Sequence, residues 1–213
     1  MKLYYAPGAC SLAPHIALRE ADRRFDLERV DLRTKRTASG RDFLEINPKG
    51  YVPVLELDGP SSDTLTEAQV ILQFIGDLTP DAHLIPGHGS LARYQCMEWL
   101  AFISSELHKQ FGPLFQPDTP ESQRAVQRGK IGDRLTYVDT VLGDRAFLMG
   151  EAFTVADAYL FVMTQWCGKF GIDLAMWPNV DAFESRVAHR PAVEAAMSAE
   201  GILGRNRVQR RSA

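Results

Sequence analysis

Residues 2–21, "KLYYAPGACSLAPHIALREA", decide the fold. An apolar run over 2–6 reads as a strand, Pro7-Gly8 breaks it, and 11–21 follow a helical pattern with Cys10 at the join. The run "DLERVD" (26–31) predicts a second strand. A strand–helix–strand order requires a parallel pair, because the crossover helix carries the chain back to the end from which it started. Working outward, the polar segment 32–42 leads to a short helix around "DFLEI" (42–46). The run "NPKGYVPVLELDG" (47–59) then supplies a turn and a strand over 52–57, with Pro53 at its start. Proline donates nothing to a ladder and is admissible there in either isomer. In "LTEAQVILQFIGDL" (65–78), Thr66-Glu67 opens a helix whose Val70, Ile71, Phe74 and Ile75 recur at helical spacing. Residues 1–78 therefore form a small α/β unit.

The segment "TPDAHLIPGHGS" (79–90) is rich in Pro, Gly and small polar residues and reads as a linker. Beyond it, 91–213 read as all-helical, with helices over 91–111, 120–142, 154–170, 179–190 and 191–199. Thr154 and Asp157 in "TVAD" are spaced as a capping box, in which each side chain satisfies an otherwise orphaned backbone N–H. With 213 residues there is room for two modest cores.

A net charge of −3, with 45% hydrophobic and 24% charged residues, gives no electrostatic footprint for nucleic acid. The basic run "RNRVQRRS" (205–212) reads as a solvated end. There is no leader pattern at the start and no window near the roughly 18 apolar residues that a membrane span needs. Three cysteines, at 10, 96 and 167, are a poor disulfide framework and suit a reducing compartment, so the expected location is cytoplasmic. The five histidines show no metal-ligand spacing, and no Walker pattern, full G-x-G-x-x-G or G-x-S-x-G elbow occurs. No metal is expected.

Cys10 has two readings. A free cysteine is often a small buried apolar residue, and Cys96 and Cys167, inside amphipathic patterns, suit that description. A cysteine at a helix start has instead a lowered pKa, because unpaired N–H groups and the helix dipole favour the thiolate. Position 13 is Ala13, so no C-x-x-C is present and redox chemistry at this site would use a single thiol. His108-Lys109 is a cationic pair late in a helix, suited equally to complementing the helix dipole or to function.

Taken together, "KLYYAPGACSLAPHIALREA", "NPKGYVPVL", "TLTEAQVILQFI", "WLAFISSELHK", "PLFQPDTP" and "FTVADAYLF" resemble the bacterial beta-class glutathione transferases along essentially the whole chain. The resemblance implies a thioredoxin-like N-terminal domain followed by an all-helical C-terminal domain, the GST fold. It also implies a homodimer, and glutathione as co-substrate, activated as thiolate for attack on small hydrophobic electrophiles. Cys10 would sit at the thiol. Val52, before a cis Pro53, would pair with the cysteinyl backbone of glutathione, flanked by Tyr51. Glu67 and Ala68 would hold the γ-glutamyl end and Lys35 the glycyl carboxylate. His108, with Lys109, would supply positive charge or a donor to the sulfur, and Phe111, Phe115 and Trp166 would line the electrophile pocket. Two positions depart from the family pattern: Ala68 replaces its glycine, and Ala101 an asparagine reaching the neighbouring subunit's glutathione. Two alternatives stand beside conjugation. One is thiol–disulfide reduction or reductive dehalogenation through a Cys10 mixed disulfide; the other is a non-enzymatic ligand-binding member of the fold.

Overall fold

The computed structural model describes residues 1–59 and 63–204; the basic run 205–212 lies outside them. Two compact units are present, one of Met1–Leu84 with Pro191–Leu203, the other built on Ile85–Arg190.

In the first unit β1 (Lys2–Tyr5), α1 (Leu12–Glu20) and β2 (Asp26–Asp31) form the expected strand–helix–strand motif, with β1 and β2 parallel and Leu3 opposite Leu27. Then follow β3 (Arg36–Thr37), α2 (Phe43–Ile46), β4 (Val54–Glu56), β5 (Thr64–Thr66) and α3 (Ala68–Leu78). The sheet order is β3-β2-β1-β4-β5, and β4 runs antiparallel to both β1 and β5. Central β1 is buried on both faces, with Leu3, Tyr4 and Tyr5 between 0% and 9% exposed. Tyr4 joins Val30, Phe43, Val52 and Val54 in one core cluster, and α1 packs against α3. Pro14 lies in the first turn of α1, where a missing N–H costs nothing.

Two short strands escape the sequence reading. Residues 64–66 are expected at the mouth of a helix, but they pair with β4, Leu65 opposite Leu55, and α3 begins only at Ala68. Three residues are too few to show alternation, so cross-strand pairing decides their state. The two residues of β3 are stranded for the same reason.

The second unit holds α4 (Leu91–Phe102), α5 (Lys109–Phe115), α6 (Glu121–Leu142), α7 (Val155–Lys169) and α8 (Pro178–Ala188). The single helix expected over 91–111 runs on to Phe115, and a π-helical segment, Ile103–His108, joins α4 to α5. Such widened turns often lie at functional sites. Helix α7 is the centre of this unit, buried on nearly every residue from Val155 to Cys167. Its capping box forms as expected. Asp157 accepts from the N–H groups of Thr154 and Leu148, each at 2.8 Å, and from the Thr154 hydroxyl at 2.9 Å. Complete burial lifts its carboxyl to about 6 against the pull of those donors.

Helix α9 (Pro191–Ala199) follows 91–190 in the chain but groups in space with the first unit. It packs on α1 through a face on which Val193, Ala196 and Met197 are buried. The expected boundaries, 1–78, 79–90 and 91–213, follow the order of the sequence; the grouping of α9 follows its apolar face.

Candidate active site

Cys10 closes the turn between β1 and α1, one residue ahead of the Ser11 that caps the helix. The turn is tightly specified. Gly8 sits at φ +70°, a conformation costly for residues with a Cβ. The Ser11 hydroxyl accepts from the N–H of Ala6 and donates to its carbonyl, at 3.2 and 3.3 Å. The Cys10 thiol donates to the carbonyl of Val52 at 3.4 Å. Burial pushes the thiol up to about 12, outweighing the backbone N–H groups of Cys10 and Ser11 that favour the anion; Glu67 raises it slightly further. The lowered pKa expected from the helix start is therefore overturned, because desolvation of the sulfur exceeds the dipole's attraction.

The Val52–Pro53 bond is cis, and both residues are buried. Asn47, itself buried, holds the preceding turn by donating to the Tyr51 carbonyl at 2.7 Å. Gly50, at φ +71°, brings its carbonyl to the ammonium of Lys35 at 2.6 Å. A Cβ there would meet Leu44 Cδ2 at 3.2 Å and the end of Lys35.

Glu67 stands immediately before α3 at φ +67° and ψ 112°, a strained position for a side-chain-bearing residue. Its Oε1 accepts from Lys49 Nζ at 2.7 Å and from the Tyr51 hydroxyl at 3.1 Å. That hydrogen bond raises the Lys49 ammonium, while partial burial and then Glu67 raise the Tyr51 phenol. Lys49 also donates to Thr66 Oγ1 at 2.9 Å. Ala68, largely buried, opens the helix with its backbone N–H in the first turn. Tyr51, Val52, Pro53, Glu67, Ala68, Lys35 and Cys10 thus all lie in the first unit, in the turns at the ends of its strands. Asn47 and Lys49 are additions: the sequence shows both inside "NPKGY", with nothing local to indicate their partners.

In the second unit His108 ends the π-helical segment, with Nδ1 2.6 Å from the buried Tyr159 hydroxyl, a partner that only the fold reveals. Lys109 and Ala101 are exposed. The expected pocket aromatics divide. Phe111 is fully buried and packs edge-on against Trp166 at 5.4 Å, whereas Trp166 keeps a small exposed edge and Phe115 is 40% exposed. Phe115 packs against Trp166 and Phe170 at 4.8 and 4.7 Å, and Lys169 Nζ lies 4.6 Å from its ring centroid. The pocket expectation for Phe111 is corrected to a core role, since an atom without exposed surface meets no ligand. Among the described residues no group of His, Cys, Asp and Glu is placed to hold a metal ion.

Two family models match, the glutathione S-transferase N-terminal domain over residues 8–78 and its C-terminal domain over residues 102–191. The chain belongs to the glutathione S-transferase family. It is 46% identical to glutathione S-transferase GstA of Escherichia coli O157:H7, across 95% of this chain and all of that one. The solved structure of a sphingomonad glutathione S-transferase complexed with glutathione superimposes with a TM-score of 0.91 at 47% identity, over 95% of this chain and 100% of that one. The bacterial beta-class glutathione S-transferase of Sphingomonas chungbukensis does so with the same TM-score, identity and coverage. These likenesses bear out the resemblance read from the motifs, the fold class and the glutathione transferase activity expected from the sequence.

Proposed function

We propose that this glutathione transferase binds glutathione along the turns of its first unit and conjugates it to small hydrophobic electrophiles, with Cys10 serving as a neutral S–H donor beside the glutathione sulfur. The observation that carries this reading is the Cys10–Val52 hydrogen bond: the thiol of this half-buried residue is already a donor, and its desolvation favours the neutral form. A donated S–H stabilises a neighbouring thiolate, which is what conjugation asks of the site. The strained Glu67, at the start of α3 next to the Ala68 N–H, supports a γ-glutamyl site, its carboxylate for the ammonium and the N–H for the carboxylate. Tyr51, Val52 and Pro53 take the cysteinyl backbone and Lys35 the glycyl carboxylate. His108 and Lys109, with Phe115 and Trp166, keep the roles that the family resemblance gives them toward the sulfur and the electrophile. A glutathione complex solved for a 47% identical relative supports glutathione as co-substrate.

Reduction through a Cys10 mixed disulfide is the second reading, and it needs a thiolate that burial disfavours. Cys10→Ala separates the two. Under the proposal the variant binds immobilised glutathione and keeps a measurable part of its conjugation with a dinitrohalobenzene, while reduction of a glutathionylated disulfide is lost. Loss of both activities in a folded, glutathione-binding variant would overturn it. Failure to bind immobilised glutathione would favour the non-enzymatic reading.

We infer a homodimer from Leu91, Tyr94 and Met97, which repeat at a spacing of three along α4 and are 74%, 60% and 37% exposed. A reducing, cytoplasmic setting is supported by three free cysteines. Among the described residues no helix is long and apolar enough to cross a membrane.

A further inference from the structure

His15 and Glu200, 185 residues apart, form a buried pair in the first unit that no step above uses: both side chains have no exposed surface, and His15 Nδ1 lies 2.9 Å from Glu200 Oε1. The other carboxylate oxygen, Oε2, accepts the backbone N–H of Gly8 at 2.8 Å, in the turn that carries Cys10. Arg19 Nε donates to His15 Nε2 at 2.9 Å. A guanidinium Nε–H is always present, so Nε2 must accept, and the ring proton sits on Nδ1 and is donated to Glu200. The polarity of the whole chain, Arg19 to His15 to Glu200 from Gly8, is thereby set in one direction. Ile202, two residues on, brings its Cδ1 to 3.8 Å from the place a Gly8 Cβ would occupy.

From this geometry we propose that Glu200 is a positioning residue for Cys10, a polarised clamp by which the segment after α9 holds the thiol-bearing turn in register with Val52. The catalytic consequence rests on the Cys10 reading above; the positioning itself does not. The carboxylate suits the role because two acceptor oxygens meet two donors. An amide cannot do so beside Arg19. In Glu200→Gln, an oxygen kept for Gly8 turns the NH2 toward Nδ1–H, donor against donor, and the ring cannot change tautomer while Arg19 occupies Nε2. A glutamine in place of Arg19 has its terminal oxygen as far along the side chain as Nε of arginine, so there it can accept from an Nε2–H, and the two links at His15 can reverse while Gly8 still donates to the remaining oxygen.

The test is a double-mutant cycle of Glu200→Gln and Arg19→Gln, read by Cys10 alkylation with iodoacetamide and by kcat/KM for glutathione. Peptide mass spectrometry reports Cys10 alone, because Cys96 and Cys167 are fully buried. Glu200→Gln with Arg19 intact should speed Cys10 alkylation and lower kcat/KM, each by about tenfold or more, as for one buried donor left facing another. In the Arg19→Gln background the same substitution should change either quantity by less than about threefold. Equal effects in the two backgrounds, or a Glu200→Gln variant changed only in melting temperature, would overturn the proposal. A Cys10→Ala protein equal to wild type in every glutathione assay would remove the catalytic reading and leave the alkylation rates to judge the clamp.

Discussion

The sulfur of Cys10 lies 3.4 Å from the carbonyl oxygen of Val52 and donates its proton there, across 42 residues of sequence. A cysteine at a helix start, where unpaired N–H groups favour the anion, is thus held as a thiol, with its pKa pushed up to about 12.

Cys10 alkylation is therefore expected to be slow at pH 7 and to keep rising through the alkaline range, since the reactive thiolate is a minute fraction at neutral pH. The rate of iodoacetamide labelling against pH, followed on the Cys10 peptide, checks this. A plateau already at pH 8 would show a thiolate site and restore the disulfide-exchange reading.

Glu67→Ala should raise the glutathione KM by roughly tenfold or more, as for losing a hydrogen bond to a charged group. Glu67→Gly should match it in KM yet be more stable by about 1 kcal/mol, because glycine accepts a φ of +67° without strain. Steady-state kinetics and urea unfolding of the pair separate ligand binding from backbone strain. An unchanged KM would take Glu67 out of the site.

Asp157→Ala should cost about 2 to 4 kcal/mol at pH 7, since two buried backbone N–H groups and a hydroxyl lose their acceptor. The folded pKa of about 6 lies above the ordinary carboxylate value near 4, so the folded state holds this proton more tightly than the unfolded chain. The Asp157 contribution to stability thus falls as pH rises from about 4 to about 6 and is constant above. Urea unfolding of wild type and variant at pH 4.5 and 7 should give a larger difference at the lower pH; a larger difference at pH 7 would mean that the hydrogen bonds outweigh burial.

The dimer inference predicts twice the chain mass in light scattering at micromolar concentration. Charges placed on the exposed face of α4, as in Leu91→Glu with Tyr94→Glu, should yield a monomer with unchanged helical content. A wild-type monomer at that concentration would refute the inference.

The strand–helix–strand opening, the helix before residue 78, the all-helical run after residue 90 and the Thr154–Asp157 capping box were all legible in the sequence, because periodicity, caps and turn residues act within a few positions of one another. The family motifs likewise pointed to Cys10, Glu67 and the Val52–Pro53 turn, and the Cys10 thiol does meet the Val52 carbonyl. What lies beyond that local range depended on tertiary structure. The three residues of β5 are strand only because β4 lies beside them. Phe111 and Phe115, alike in sequence and four residues apart, differ because one faces the core and the other the surface. Helix α9 joins the first unit through its buried face, and Glu200 reaches Gly8 from 192 residues away. The ionisation of Cys10 departs from the local rule for the same reason. A helix start draws a thiol toward the anion, but burial of the sulfur against a distant carbonyl is a larger effect, set by segments that meet only in the folded chain.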